Sequence, residues 1–184
     1  PKPTPLNIVR QETTDDTKDV LKITMDAEAV AEAQAKQVAE EVEEFKEALE
    51  SEIERGLIVV ENQLNRIVIR IRERGSFPSG DATLHQNFVP ILKKINEALT
   101  QTDGLIAVAG HTDNIPINTS RYRSNWELSG SRATSVVHEL LRYPEYQAER
   151  FRVEGYADTR PLTENDTESG RARNRRVEIA VLTQ

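Results

Sequence analysis

An acidic residue and an arginine are placed so that their side chains could hold a charged ligand. Asp113 follows the apolar run Leu105 to Ala109, and Arg132 lies nineteen residues later in the first turns of a predicted helix. Polar side chains at the carboxyl end of a buried strand face a crevice in α/β domains. A carboxylate there binds an ammonium group, and a guanidinium fork binds a carboxylate. The pair suits a zwitterion; an internal salt bridge that only ties the loop to the helix is the open alternative.

Further polar side chains follow the same predicted helix. Ser124 and Glu127 have the Ser-x-x-Glu spacing of a capping box, in which each side chain satisfies a free backbone N–H. Trp126 is predicted to anchor the core rather than to serve as a ligand platform. From the cap onward, helical spacing places four residues on roughly one side: Asn125, Leu128, Ser129 and Arg132.

A second cluster consists of the four arginines Arg171, Arg173, Arg175 and Arg176. They could contact phosphate, carboxylate or sugar hydroxyls, or be solvated and paired with acidic residues of the preceding loop. A nucleic-acid partner is not expected, because the net charge is 24 − 31 = −7 and binding through counterion release needs a broadly basic face.

Several other kinds of site are excluded or disfavoured by composition. The chain has no cysteine, so it has neither disulfides nor thiolate sites. Its three histidines lack metal-ligand spacing, and no serine lies in a Gly-x-Ser-x-Gly elbow. We therefore expect no cofactor, no metal and no catalytic activity.

The charge distribution divides the chain. Residues 1–56 hold 7 basic and 15 acidic residues, whereas residues 57–184 hold 17 and 16, and all eight glycines lie at or after Gly56. Residues 1–25 start with alternating prolines and are predicted to be a flexible linker. Residues 26–56 are predicted to be an acidic amphipathic helix, capped at Gly56, that packs on the domain, pairs in a coiled coil or acts as a movable spacer. Residues 57–184 are predicted to be the folded domain.

Within that domain, apolar patterns predict an α/β fold. Residues 57–60 and 67–71 read as a hairpin, followed by a helix over Phe88 to Leu99 and the buried strand at Leu105. The helix after Ser124 and strands over 151–155 and 177–181 complete the order. We expect a two-layer sandwich, with a mixed sheet and helices on one face.

These separated motifs resemble the OmpA-like peptidoglycan-binding domain in order and spacing over about residues 67–183. The matching pieces are Gly110–Asn114, Asn125, Leu128–Ser129, Arg132–Ala133, Gly155–Asp158, Pro161 and Arg173–Glu178. The long loop leading to Ser124–Ser129, with Phe77–Gly80, is similar to the B subunit of the flagellar stator, the MotB/PomB family. The acidic helix ahead of the domain is similar to the PomB branch.

The resemblance implies a ligand and the residues that bind it. In the family, the positions matching Asp113 and Arg132 hold the diaminopimelate side chain of a wall stem peptide, which carries a free ammonium and a free carboxylate. The resemblance further implies that Arg173 and Arg176 lie beside this pocket, and that it is lined by Thr112, Asn114, Asn125, Leu128 and Ser129.

The resemblance also implies a non-catalytic anchor, the periplasmic region of a single-pass inner-membrane protein. Its implied partners are peptidoglycan, a second copy, the stator A subunit through a membrane helix, and periplasmic motor-ring proteins. The sequence has no apolar run near the roughly 18 residues of a membrane span. The alternatives are an outer-membrane tether, a dimerisation or docking module, and an enzyme acting on peptidoglycan.

Overall fold

The computed structural model describes residues 15–63, 66–143 and 148–182, with side chains from residue 24 onward. The chain divides into two units, residues 1–37 and 38–184. Helix α1 (Asp15–Ala48) begins in the first unit and ends in the second. It starts well before the predicted residue 26, because no proline or glycine interrupts residues 6–55. Residues 15–25 were predicted to be linker but are helical. Residues 1–14 of the predicted linker lie outside the described residues.

The end of this helical region is fixed by a glycine. After Leu49, the short helix α2 (Glu50–Glu54) runs to Gly56, whose φ is +67°. The Gly56 N–H donates to the Ile53 carbonyl at 2.9 Å, and the Leu57 N–H donates to the Glu52 carbonyl at 3.0 Å. These two bonds form a Schellman motif, so the predicted cap at Gly56 is confirmed.

The domain contains a mixed five-stranded sheet with the strand order β1-β2-β5-β3-β4. Strands β3 and β4 pair in parallel and all other neighbours pair antiparallel, with β1 and β2 forming the predicted hairpin. The strand bounds are Ile58–Asn62, Ile67–Arg72, Leu105–His111, Phe151–Gly155 and Arg176–Leu182. The other helices are α4 (Val89–Leu99), α5 (Asn125–Leu140) and α6 (Glu168–Asn174), with 3₁₀ turns at Gln86–Phe88 and Ala148–Arg150. The short segment α3 (Glu73–Ser76) is an irregular turn, because Arg74 and Gly75 in it have non-helical backbone angles.

The hydrophobic core lies on one face of this sheet. Alternate strand residues such as Ile69, Val108 and Ile179 are fully buried there against α4 and α5. The C-terminal part of α1 joins the same core through Val38, Val42 and Phe45, and Leu49, directly after α1, also belongs to it. The predicted two-layer α/β fold, with helices on one face, is confirmed. Among the described helices, none is both long and apolar enough to cross a bilayer.

Two strand glycines let α5 approach the sheet closely. A Cβ built on Gly110 would lie 1.9 Å from the carbonyl oxygen of Ser129, and one on Gly155 would lie 2.9 Å from the backbone nitrogen of Gly130. Neither distance is possible for a real side chain, so only glycine fits at these positions. The contact brings the first turns of α5 against the carboxyl ends of β3 and β4.

Candidate functional site

A cavity of about 350 Å³ lies where β3 ends and α5 begins. Ligand sites commonly have volumes of roughly 300–1,000 Å³ and contain a few placed polar groups. Three carboxylates and two guanidinium groups reach this one. The lining residues are Glu73, Ser79, Gly80, Thr112, Asp113, Ile115, Pro116, Ile117, Asn125, Leu128, Arg132, Glu168 and Arg175.

Asp113 is buried, with 6% of its surface exposed, and both carboxylate oxygens accept hydrogen bonds. Oδ1 accepts from the Ile115 N–H at 3.0 Å, and Oδ2 accepts from Nη1 of Arg175 at 2.7 Å. Each carboxylate oxygen has two lone pairs, so Asp113 retains acceptor capacity toward the cavity. Asp113 therefore forms a salt bridge to an arginine, but that arginine is Arg175 and not the predicted Arg132.

Arg132 is 1% exposed and is held by the loop that follows β2. Its Nε donates to the Asp81 carbonyl at 2.8 Å, and its Nη2 donates to the Pro78 carbonyl at 3.2 Å and to the Glu73 carboxylate. Within the described residues, no hydrogen bond uses Nη1 of Arg132. This group is the part of the fork left to bind an incoming acceptor.

Glu73 links the two arginines of the cavity. Its Oε1 accepts from Arg132 and its Oε2 accepts from Nε of Arg175. Arg175 also donates to Glu168 at 2.7 Å. Burial lowers the pKa of Arg175, but its hydrogen bonds to Asp113 and Glu168 and the charge of Glu73 outweigh that effect and raise its pKa above the ordinary value. The guanidinium of Arg175 is thus a permanent cation, the second in the cavity beside Arg132.

Glu73 and the position of Arg175 were not predicted from the sequence. Glu73 follows β2 directly, 59 residues before its partner Arg132, so only the fold brings them together. Arg175 belongs to the arginine cluster, but it directly follows α6, a helix that was not predicted from the sequence. The N-cap Thr167, whose Oγ1 accepts from the Gly170 N–H at 3.0 Å, was the available signal for that helix.

The structure gathers five of the nine predicted site residues in the cavity: Asp113, Arg132, Thr112, Asn125 and Leu128. Asn114 is exposed and does not line it. Ser129 is fully buried behind it, where its Oγ accepts from the Ala157 N–H and donates to the Trp126 carbonyl, both at 3.1 Å. Ser129 therefore fixes α5 to the loop after β4.

Arg173 and Arg176 are not brought to the cavity, which corrects their expected placement. Arg173 is exposed on α6. Arg176 begins β5 and is 3% exposed; its guanidinium donates to Glu178 at 2.7 Å and to the carbonyls of Asn174 and Arg160. Side chains alternate across a strand, and Val177 takes the core face, so Arg176 and Glu178 lie on the opposite face.

Two local predictions about the start of α5 are wrong. Ser124 is the N-cap residue but its side chain makes no cap hydrogen bond, and Glu127 accepts from the Arg123 N–H at 2.7 Å instead of completing a capping box. Trp126 is 55% exposed and is not a core anchor. The buried side of α5 is formed by other positions, among them Ala133, Val136 and Leu140.

The arrangement is suited to binding a zwitterion. The carboxylates of Asp113 and Glu168 can receive an ammonium group, and Nη1 of Arg132 with the guanidinium of Arg175 can receive a carboxylate. In the described parts of the chain, no group of three or more histidine, aspartate or glutamate side chains is arranged to hold a metal ion.

Comparisons with known proteins place this geometry in a family. A model of the OmpA family matches residues 76–175. Motility protein B of Bacillus subtilis (strain 168) is 35% identical over 145 residues, covering 74% of this chain and 56% of that protein. The chain thus spans about half the length of this curated relative.

Two solved structures are similar over most of the chain. The cell wall anchor of the T6SS from Pseudomonas aeruginosa is 41% identical with a TM-score of 0.71, covering 76% of this chain and 97% of that one. The periplasmic domain of Helicobacter pylori MotB is 25% identical with a TM-score of 0.64, covering 69% and 82%. Since the OmpA model matches more than half of the chain, including most residues that line the cavity, this chain belongs to the OmpA family.

Proposed function

We propose that this chain is a non-catalytic periplasmic anchor that binds the diaminopimelate side chain of a peptidoglycan stem peptide. It fixes the stator of an ion-driven flagellar motor to the cell wall. The observation that carries the proposal is the cavity in which Asp113 and Arg132 lie together, with Nη1 of Arg132 unused by the described residues. Similarity to Motility protein B and to the periplasmic domain of MotB supports the flagellar role.

The two charged ends of diaminopimelate have separate partners in this proposal. The ammonium binds Asp113, with Glu168 at the exposed side of the cavity, and the carboxylate binds Arg132 and Arg175. Thr112, Asn125 and Leu128 shape the wall between them. Because Asp113 and Arg175 are already hydrogen-bonded to the protein, the ligand meets groups that are oriented before it arrives.

The assembly is part of the proposal. A homodimer presents two wall sites, whose effective concentration strengthens an individually weak contact. The stator A subunit and periplasmic motor-ring proteins are the further partners proposed, and the acidic α1 acts as the spacer. The PomB branch assignment stays a prediction.

Sedimentation with purified sacculi tests the wall contact. Asp113→Asn keeps the shape of the side chain and removes its charge, so we expect binding about tenfold or more weaker, the loss typical of a charged hydrogen bond. Arg132→Ala should also weaken binding, with circular dichroism melting to verify that the variant folds. Asp158→Asn, a change at an exposed aspartate, is the matched control. Binding of Asp113→Asn and folded Arg132→Ala at the wild-type level would refute the pocket assignment.

A second candidate function has the same contact with the cell wall, but the anchored complex is not the flagellar stator. The 41% identity to the cell wall anchor of the T6SS favours an anchor for a secretion apparatus. Deletion of the gene separates the candidates: loss of swimming with normal secretion supports the flagellar stator, and the reverse supports the secretion anchor.

A further inference from the structure

A second cavity, of about 430 Å³, lies on the face of the sheet away from the hydrophobic core. Its floor consists of small side chains on the two central strands, Ala107 and Ala109 on β3 and Ala180 on β5. Ala180 pairs with Ala107, and this row continues to Val68 on β2 and Arg152 on β4. Because larger side chains border the alanines on both sides, the floor forms a trough that follows the strands.

One end of the trough contains a buried polar group without a partner. His111, the last residue of β3, is 2% exposed, and neither of its ring nitrogens has a hydrogen-bond partner in the described ranges. The imidazole stacks on the half-buried ring of Tyr156, and the Arg160 guanidinium lies 3.5 Å from the centroid of that ring. Leaving a buried polar group unpaired costs roughly 1–3 kcal/mol. A ligand that displaces the Tyr156 ring would supply the missing partner.

Three arginines on the rim of the trough lack close acidic partners. Among the residues that the structure describes, no ion pair involves Arg66 or Arg160, and Arg152 comes only within 4.0 Å of Glu154. All three arginines are exposed. The inner charges of the cavity, by contrast, pair with each other at 2.7 Å. The rim is thus positively charged and attracts a ligand with negative groups.

The arginines are distributed along the trough. Arg66 directly precedes β2, whose first residue, Ile67, pairs with Val181 near the end opposite His111. The floor from Ala107 to His111 spans four residue steps, roughly 13 Å at the rise of a strand. In an extended peptide, side chains about four residues apart point to the same face and are separated by the same distance.

We infer that this trough binds an acidic segment of a partner protein, held in an extended conformation with two carboxylates about four residues apart. One carboxylate pairs with Arg66 and the other with Arg160, and a small apolar side chain between them lies on the alanine floor. Arg152 borders the middle of the segment. The trough shares no lining residue with the cavity of Asp113, so the inference does not depend on the proposed wall contact.

A nucleic acid or another phosphate polymer fits this surface less well. The floor is apolar and favours a ligand with apolar side chains between its charges. The Tyr156 ring is already covered by Arg160, so no base can stack on it. A single small anion would engage one arginine, whereas the three are spread along the rim. A second copy of this chain is an occupant that the test below distinguishes.

The experiment is an NMR titration of the full 184-residue chain with defined probes. The first probe is acetyl-Glu-Ala-Val-Ala-Glu-amide, and the second replaces both glutamates with glutamine. We expect the acidic peptide to bind with a dissociation constant of about 1 mM or lower and to shift the amide signals of Ala107, Ala109, His111 and Ala180. The glutamine peptide should bind at least about tenfold more weakly, because it lacks the charged hydrogen bonds. Tripolyphosphate is the third probe and should bind more weakly than the acidic peptide.

Matched variants assign the binding to the rim. Arg66→Gln combined with Arg160→Gln should weaken binding of the acidic peptide about tenfold or more and leave sedimentation with sacculi unchanged. The amide spectrum verifies that the variant folds. Arg173→Gln makes the same chemical change at an exposed arginine outside the trough and should bind the peptide as wild type does.

Several results would overturn the inference while sedimentation with sacculi still reports on the proposed function. They are the absence of shifts up to about 10 mM acidic peptide, shifts confined to residues outside the trough, equal binding of the glutamine peptide, or undiminished binding by the double variant. Tighter binding of tripolyphosphate would assign the rim to a phosphate ligand and also overturn it. A dimer that the double variant dissociates, seen by analytical ultracentrifugation without peptide, would assign the trough to a second copy instead.

Discussion

Nη1 of Arg175 donates to Oδ2 of Asp113 at 2.7 Å, across 62 residues of sequence. The same guanidinium bonds Glu73, which also accepts from Arg132. Asp113 and Arg132 are thus connected through a chain of alternating charges. The cavity has its charged groups fixed against one another, and a ligand would join this network rather than assemble it.

Arg175 is the residue whose loss should disturb this network most. Arg175→Ala removes a partner from both Glu73 and Asp113, so we expect at least tenfold weaker binding of a diaminopimelate peptide and a free energy of unfolding lower by about 1–3 kcal/mol. Arg175→Lys should give binding and stability between those of wild type and Arg175→Ala, because an ammonium group cannot reproduce the several hydrogen bonds of a guanidinium. Calorimetry and urea unfolding measure the two effects. Arg173→Ala, an exposed neighbour, is the control and should match wild type.

Arg132 is predicted to contribute to folding as well as to binding. Arg132→Lys keeps the charge but cannot donate to Asp81, Pro78 and Glu73 together, so the free energy of unfolding should drop by about 2 kcal/mol or more. Chemical unfolding measures this directly. Arg142→Lys, at a side chain that is 70% exposed, should change stability by less than about 0.5 kcal/mol. Equal stability of the two variants would contradict a structural role for Arg132.

The close approach of α5 to β3 gives a prediction with a built-in control. Gly110→Ala would place a methyl group 1.9 Å from the Ser129 carbonyl, so α5 must shift and stability should fall by about 3 kcal/mol or more. Gly130→Ala meets nothing within 4 Å and replaces a helical glycine, so it should be neutral or stabilise by up to about 1 kcal/mol. Thermal unfolding compares them. Equal melting temperatures of Gly110→Ala and Gly130→Ala would disprove the tight contact.

His111 predicts an acid-sensitive stability. Burial, with a smaller effect from Arg176, lowers its pKa to about 4. Neither ring nitrogen has a hydrogen-bond partner among the described residues. The unfolded chain, with an ordinary pKa near 6.5, binds the proton at higher pH than the folded chain does. The free energy of unfolding should therefore decrease as the pH falls from about 6.5 to 4, by about 3 kcal/mol.

A single variant isolates this effect. His111→Phe removes the titration and can keep the stacking that His111 makes with Tyr156 at 5.4 Å between ring centroids. Urea unfolding between pH 4 and 7 should give a flatter pH dependence for the variant. Glu61, whose pKa is lowered, titrates in both proteins, whereas the lowered pKa of Glu178 depends in part on the charge of His111 and its change belongs to the effect being measured. Parallel pH profiles of the two proteins would refute the assignment to His111.

The fold was largely predictable because its elements have strong local patterns. The hairpin, the strand at Leu105 and the helices at Val89 and Asn125 follow from apolar periodicity and turn residues. Side-chain burial that depends on neighbouring strands could not be predicted from these local patterns. Arg70 lies in a strand between isoleucines, a pattern that places it on the face away from the core, yet it is only 8% exposed because it pairs with Glu61 and Glu178 on neighbouring strands.

The candidate site was predictable only in part, for the same reason. Asp113 and Arg132 lie near recognisable strand and helix ends, so spacing and resemblance identified them. Glu73 gave no local signal, and which arginine of the cluster enters the cavity depends on the end of α6 and the register of β5. Shifting by one residue along a strand moves a side chain to the opposite face, which separates Arg176 from the site.

Competition on sacculi with two stem peptides tests the central claim most directly. The peptides are identical except that one carries diaminopimelate and the other carries lysine, which has the same ammonium and lacks the distal carboxylate. If Asp113 binds the ammonium and Arg132 with Arg175 binds the carboxylate, the diaminopimelate peptide should release the protein at roughly tenfold or more lower concentration than the lysine peptide. Equal release by the two peptides, or release by neither, would contradict the account.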